Sequence, residues 1–280
     1  MSTMVVALLA LGLIAAIAFL VYGLWELRLA YRIYANDPDT LLDATNGGSV
    51  ELAGTVAIEE DVLESPFTHT DCVAFSYTIE ERRSSSSNKG SNTKWVDIDS
   101  GTYCVPFRLD DQSGSVLVDP SGARFRLSRD SSIRVTGGDD PPEPIAQFIA
   151  SNEDISDENT SLSLGPLEMS TGRTRRYRER RLDVGAPVHV LGTARHDTTV
   201  SRDVGQVNAV IEASKPASDG WISWIRHRVF GPPFVVFDVS ESRAARRVAF
   251  TGFLCTFAGL IALTIVLAFG LPLGIQIGVH

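Results

Sequence analysis

A chain of 280 residues with a formal net charge of -9 has room for one or two domains, and its negative charge argues against nucleic acid as its main partner. Only Lys89, Lys94 and Lys215 are lysines, so the cations are almost all arginines, and the Asp-rich balance is that of proteins whose acidic surfaces stay solvated in high salt. Cys72, Cys104 and Cys255 form no Cys-x-x-Cys, and the histidines at 69, 189, 196, 227 and 280 are scattered, which excludes a disulfide framework and a zinc cluster; Cys72 and Cys104 are expected as buried reduced thiols, with a single bridge as the alternative.

Residues 1–27 hold the first long uncharged run, Met4 to Trp25, closed by Tyr22, Trp25, Glu26 and Arg28. It is long for a cleaved signal peptide and has no Lys or Arg before it, so it predicts an uncleaved transmembrane helix with an aromatic pair at the lipid–water boundary. Residues 28–47 turn polar, with Asp37-Pro38-Asp39 and Asn46-Gly47-Gly48 as turn signals of a juxtamembrane linker.

The soluble part is predicted over 48–240 as an all-β domain, barrel- or sandwich-like, held between two transmembrane α-helices. Val50, Leu52, Gly54, Val56 and Ile58 alternate as a half-buried strand would. Strand-like runs follow at Cys72–Ile79, Trp95–Ile98, Tyr103–Leu109, Ser115–Val118, Arg124–Leu127, Pro187–Thr193, Val207–Ala213 and Phe234–Val239, separated by turns such as Gln112-Ser-Gly114 and Asp119-Pro120-Ser-Gly122. Helices do not alternate with strands, which disfavours a doubly wound fold. Two flexible insertions interrupt the core. Residues 82–94 read as a polar hairpin tip, and 137–172 as an acidic loop in which Ile145, Phe148 and Ile149 mark one short docked helix.

Arg173, Arg175, Arg176 and Arg178 form a candidate basic patch, continued by Arg180 and Arg181, that either meets an acidic partner or lipid heads or neutralises the acidic loop before it. Trp221 to Phe230 has the composition of an interfacial amphipathic helix stopped by Gly231-Pro-Pro233. Its Trp221, Trp224, Arg226 and Arg228, with Arg243, Arg246 and Arg247 beyond, are the candidate membrane-interface residues. No nucleophile with a base, phosphate loop or carboxylate pair stands out, so no catalytic, cofactor or metal residue is assigned. His189 in Val188-His-Val-Leu191 reads as a strand histidine, and Asp110-Asp111 as a turn.

Residues 241–272 are a basic flank and a second span: thirteen of the residues from Val248 to Leu271 are Leu, Ile, Val or Phe. At roughly 0.3 to 0.6 kcal/mol each near the span centre, they favour insertion by on the order of 5 kcal/mol. Neither span carries a charge between its ends, which disfavours a transport path. Arg28, Arg32, Arg243, Arg246 and Arg247 flank the spans on the domain side, while Met1–Thr3 and the tail 273–280 lack Lys and Arg; the positive-inside rule therefore predicts a multi-pass cell-membrane protein with 28–247 cytoplasmic and both termini outside.

The order of Gly54-x-Val56, Leu63-Glu-Ser-Pro66, Asp71-Cys-Val73 through Tyr77, Trp95, Pro106-Phe107-x-x-Asp110-Asp-x-x-Gly114-x-Val116-x-Val118, Glu179-x-x-Leu182-x-x-Gly185, Val188-x-Val190-x-Gly192 and Phe234 to Glu241 resembles the GIDE domain, also called BAM for "beside a membrane". That domain occurs in mitochondrial membrane-anchored RING-type E3 ubiquitin ligases, and the composition points to a haloarchaeal relative. The resemblance implies a membrane-side β-domain. The zinc-binding RING that follows the span in those ligases has no counterpart in the eight residues after Pro272. Two functions are thus expected: a non-catalytic membrane-anchored domain binding an unknown protein or other ligand, or an E3 ubiquitin ligase-like protein working through a separate RING partner.

Overall fold

The computed structural model describes residues 3–35, 38–87, 90–128, 131–152, 161–164, 167–170, 172–215, 220, 221, 223, 226, 227, 231–238 and 241–275. In chain order these form α1 (Thr3–Ala35), a 3-10 turn (Leu41–Asn46), β1 (Gly48–Ile58), β2 (Leu63–Glu64), β3 (Asp71–Ser87), β4 (Gly90–Cys104), β5 (Phe107–Asp111), β6 (Gly114–Val118), β7 (Arg124–Arg126), β8 (Ser131–Val135) and α2 (Glu143–Ser151). There follow β9 (Ser161–Leu164), β10 (Leu167–Ser170), β11 (Arg175–Asp183), β12 (Pro187–His196), β13 (Gln206–Glu212), β14 (Val235–Phe237) and α3 (Glu241–Ile275). The chain divides into two compact units, one of residues 39–213 with 234–238 and one holding α1, residues 214–233 and α3.

The β unit is built on a closed ring of five strands, β1-β5-β6-β13-β12 and back to β1. All contacts in the ring are antiparallel except β6 with β13. Numbered among themselves, the ring strands run 1-2-3-5-4 with strands 3 and 5 parallel, the connectivity of an OB-type Greek-key barrel. Its interior is filled by the expected alternation: Val50, Leu52 and Val56 of β1 meet Phe107, Leu109, Val116, Val118, Val188, Val190 and Ile211, all buried. β1 changes partner at Thr55, leaving β12 for β5. At that crossing Gly54 is required, because a Cβ there would lie 2.4 Å from the Asp110 carbonyl.

Both long excursions from the ring contribute to a second sheet. β3 pairs with β4 and β11, β11 pairs with β8, and β2 adds a short contact to β3. One face of this sheet is apolar: Phe75, Tyr77, Ile79 and Tyr177 pack with Phe67 and with Ile145, Phe148 and Ile149 of α2. Phe67 lies edge-on to Tyr77, Phe148 and Tyr177 at centroid distances of 5.8, 5.4 and 5.4 Å. The run read as Tyr103–Leu109 is two strands in the structure. Pro106 has no N–H to give a ladder, so β4 ends at Cys104 and β5 restarts at Phe107 in the other sheet. In the other direction, the hairpin read as a tip over 82–94 keeps its backbone pairing out to Ser87 opposite Gly90.

In the helical unit α1 and α3 pack antiparallel. A Cβ on Gly12 would meet Val266, one on Gly23 the backbone of Thr256 and Gly252, and one on Gly259 the side chain and backbone of Leu20. Ala16, Gly23 and Ala30 on α1, and Gly252 and Gly259 on α3, are all buried and recur every seven residues. This small-residue heptad lets two apolar helices approach backbone to backbone. The opposite faces expose Leu11, Ile14, Phe250 and Phe253, each more than 60% accessible. The stretches Ala7–Tyr31 and Val248–Ala268 are long and apolar enough to cross a membrane.

Candidate functional site

Strand alternation splits the arginine run between the two faces of the second sheet. Arg175 and Arg181 share the α2 face with Tyr177 and Glu179, and Arg176, Arg178 and Arg180 lie on the other. On the first face the cations are committed to structure. Glu81, almost fully buried, accepts from Arg83 Nε at 2.9 Å and Arg173 Nη1 at 2.7 Å, with Arg175 Nη2 3.8 Å away. Burial alone would raise the Glu81 carboxyl; the hydrogen bonds from Arg83 and Arg173 outweigh it and hold the group below the ordinary carboxylate range.

Glu179 is wholly buried in the same face. Its carboxylate accepts from the Phe67 N–H at 2.9 Å, the Thr68 hydroxyl at 2.6 Å and Arg181 Nη1 at 2.9 Å, while Arg181 Nε also reaches Asp183 at 2.9 Å. This pins the 65–70 loop, whose Ser65 hydroxyl accepts from the Thr70 N–H at 3.1 Å, onto the sheet. Sequence reading listed Glu179 only as a motif residue; its isolation among arginines is the signal that it is a buried counter-ion.

The other face is polar and open. Glu80, beneath it, accepts from Arg176 Nε at 2.6 Å and Nη2 at 2.9 Å, and Arg178 Nε stands 3.0 Å from the same carboxylate. Trp95 lies across the strands with the guanidinium carbons of Arg176 and Arg134 at 4.4 and 5.4 Å from its ring centre. The cross-strand register adds Ser132 and Arg134 of β8 and Ser76 and Thr78 of β3. Of the proposed patch, then, Arg176 and Arg178 remain on the open face and Arg173 and Arg175 do not.

The loop after β1 and the loop joining β12 to β13, which correspond to the ligand-binding loops of OB-type folds, are tied together by one side chain. Arg108, 5% exposed, forms an ion pair with Glu59 on the loop after β1 and donates from Nη2 to the Val200 carbonyl, at 2.7 Å, on the loop joining β12 to β13. At the base of that second loop Asp197 is held down to about 2 by the Thr199 hydroxyl, Arg195 and the Thr199 N–H. Asp111 accepts from the Ser113 and Gly114 N–H groups, the turn that Asp110-Asp111 suggests. His189 lies on β12 with Nδ1 3.9 Å from Glu51. Cys72 and Cys104 are free thiols; burial, then the charge of Asp183, pushes Cys72 up to about 12, so it is no nucleophile at neutral pH. Among the described residues no three His, Cys, Asp or Glu side chains converge as a metal site.

Of the membrane-interface candidates, Trp221 and Arg226 are helical and exposed, and the Gly231 N–H reaches the His227 carbonyl at 2.8 Å. Trp224 and Arg228 lie outside the described residues, and for Arg243, Arg246 and Arg247 only the helical backbone of α3 is described.

Residues 76–208 match a family model described as "GIDE: E3 Ubiquitin ligase". Comparison with curated proteins gives no match, and comparison with solved structures gives none either. The matched stretch runs from Ser76 in β3 to Asn208 in β13; it omits β2 and the start of β3 from the second sheet, and β1, which closes the barrel. The motif order in the sequence and this match agree: residues 76–208, within the β unit, are similar to the GIDE family.

Proposed function

We propose that this protein is a membrane-anchored, non-catalytic GIDE-type domain that holds a protein partner at the membrane surface. The observation that carries the reading is the antiparallel pairing of α1 and α3, two helices of spanning length with the whole β unit encoded between them. A chain that leaves and re-enters such a hairpin at one end keeps everything between on one side of the bilayer. The flanking arginines make that side the cytoplasm, and Trp221 and Arg226, exposed in the helical unit, suit the interface. The acidic, lysine-poor composition suits a cell with high internal salt.

A second reading is supported by the description of the matching family. A GIDE domain named for E3 ubiquitin ligases fits a protein that serves a ubiquitin-like modification pathway through a separate RING partner. Affinity purification of the intact protein from its own membranes separates the two. A stoichiometric partner without modifier transfer is expected; a co-purified carrier enzyme with transfer activity selects the second reading, and the absence of any partner overturns both.

A further inference from the structure

The open face of the second sheet has the chemistry of a receptor for carboxylates. Five guanidinium groups, those of Arg82, Arg134, Arg176, Arg178 and Arg180, face two carboxylates, Glu80 and Asp97, in a chain whose overall charge is -9. Arg134 and Arg180 are exposed, and neither makes an ion pair among the described residues. Arg176 and Arg178 are anchored by Glu80, which fixes their planar heads rather than leaving them to sweep solvent. Successive arginines of β11 on this face are about 6.8 Å apart, the same interval at which an extended peptide presents every second side chain. The ground between them is hydroxyl-bearing, Ser76, Thr78 and Ser132, able to bond a peptide backbone.

We propose that this face docks an extended acidic segment of a partner protein, with carboxylates at alternate positions paired to Arg176, Arg178 and Arg180, and Arg134 closing one side. The assignment rests on the protein-binding reading above and names its surface. A polynucleotide fits less well. The Trp95 ring is already engaged by two guanidinium groups and is closed to base stacking, and the net charge of -9 opposes a polyanion that runs on beyond this face. A lipid surface fits less well too, since the Trp95 ring that could insert already lies under Arg176 and Arg134.

The test uses the intact protein in detergent micelles and a fluorescent twelve-residue peptide of alternating Ser and Glu, read by anisotropy. Saturable binding is expected, at least tenfold weaker for the double variant Arg134→Glu with Arg180→Glu, and changed less than twofold by Arg202→Glu on the barrel. Both reversed residues are exposed, so a matching melting temperature separates lost binding from lost fold. An alternating Ser and Lys peptide is expected not to bind. No binding of the acidic peptide, or binding indifferent to the double variant, overturns the proposal; so does tighter, variant-sensitive binding of a twelve-residue oligothymidylate or of phosphatidylglycerol vesicles. If the double variant still retains its native-membrane partner, this surface is wrong and the anchoring function stands. If the unmodified protein retains no partner, the function reading fails, whatever the peptide does.

Discussion

Glu179 is the residue on which the second sheet's loop depends. Its three hydrogen bonds come from a backbone N–H, a hydroxyl and a guanidinium, all inside the protein. Glu179→Ala leaves the Phe67 N–H unpaired and deprives Arg181 of one counter-ion, a loss of about 3 to 5 kcal/mol for a broken buried pair. In a domain of this size that is roughly 10 °C in melting temperature. Glu179→Gln keeps an acceptor and Arg181 keeps Asp183, so its loss is smaller; equal effects in a thermal melt would show that charge does not matter here. Glu81 gives the fold an acid limit. Its folded-state value lies below the unfolded one, so protons bind the unfolded chain more readily. The stabilisation it provides is complete above about pH 4.5 and disappears as pH falls through the folded value. Glu81→Gln is expected to flatten stability between pH 6 and pH 3 in denaturant titrations, and an unchanged acid limb would refute that role.

At the scale of elements, the two helices were legible because length and apolarity are read directly, and most barrel strands because alternation and turn residues mark them. What the sequence could not show was where each arginine points. A run of six cations over Arg173 to Arg181 looks like one patch until the register of β11 sends alternate residues to opposite faces, one buried under α2 and one open. β8 escaped notice because Ser131-Ser-Ile-Arg-Val135 is short, and its strand state comes from pairing with β11, not from a pattern of its own. Gly12, Gly23, Gly252 and Gly259 each stand outside any Gly-x-x-x-Gly, and the seven-residue spacing of Gly252 and Gly259 has meaning only once α1 faces α3. Gly23→Val tests that seam. The new Cβ would fall 2.5 Å from the Thr256 backbone N, and overpacking of this kind costs about 1 to 3 kcal/mol. The detergent-solubilised variant is expected to aggregate at a lower temperature than Ala18→Val, which places the same side chain on the exposed face, and equal behaviour would argue that the hairpin is not tightly packed.

At the scale of the molecule, the GIDE match and the folded unit have different limits, and the difference bears on how the protein sits in a cell. The matched residues 76–208 cannot close the barrel by themselves, because β1 lies before them, and β14, which extends the same sheet, lies after. The barrel is therefore completed by β1 and its sheet extended by β14, which lie in sequence between the matched stretch and the two long apolar helices. Under the anchoring proposed above, an antiparallel hairpin would hold the β unit on one side of the membrane without choosing the side, and the choice would fall to charge. Arg28 and Arg32 follow the first apolar run and Arg243, Arg246 and Arg247 precede the second, all on the side of the β unit in sequence. The β unit is thus expected in the cytoplasm. Val204 reports on this directly, since it is fully exposed at the tip of the loop joining β12 to β13 and far in sequence from either span. A Val204→Cys variant should react with a membrane-impermeant maleimide only after the cells are lysed, while a tag following His280 is reached by antibody on intact cells. Labelling of Val204→Cys on intact cells, at a level the parent thiols do not give, would place the domain outside and remove the cytoplasmic partner on which the function proposed for it depends.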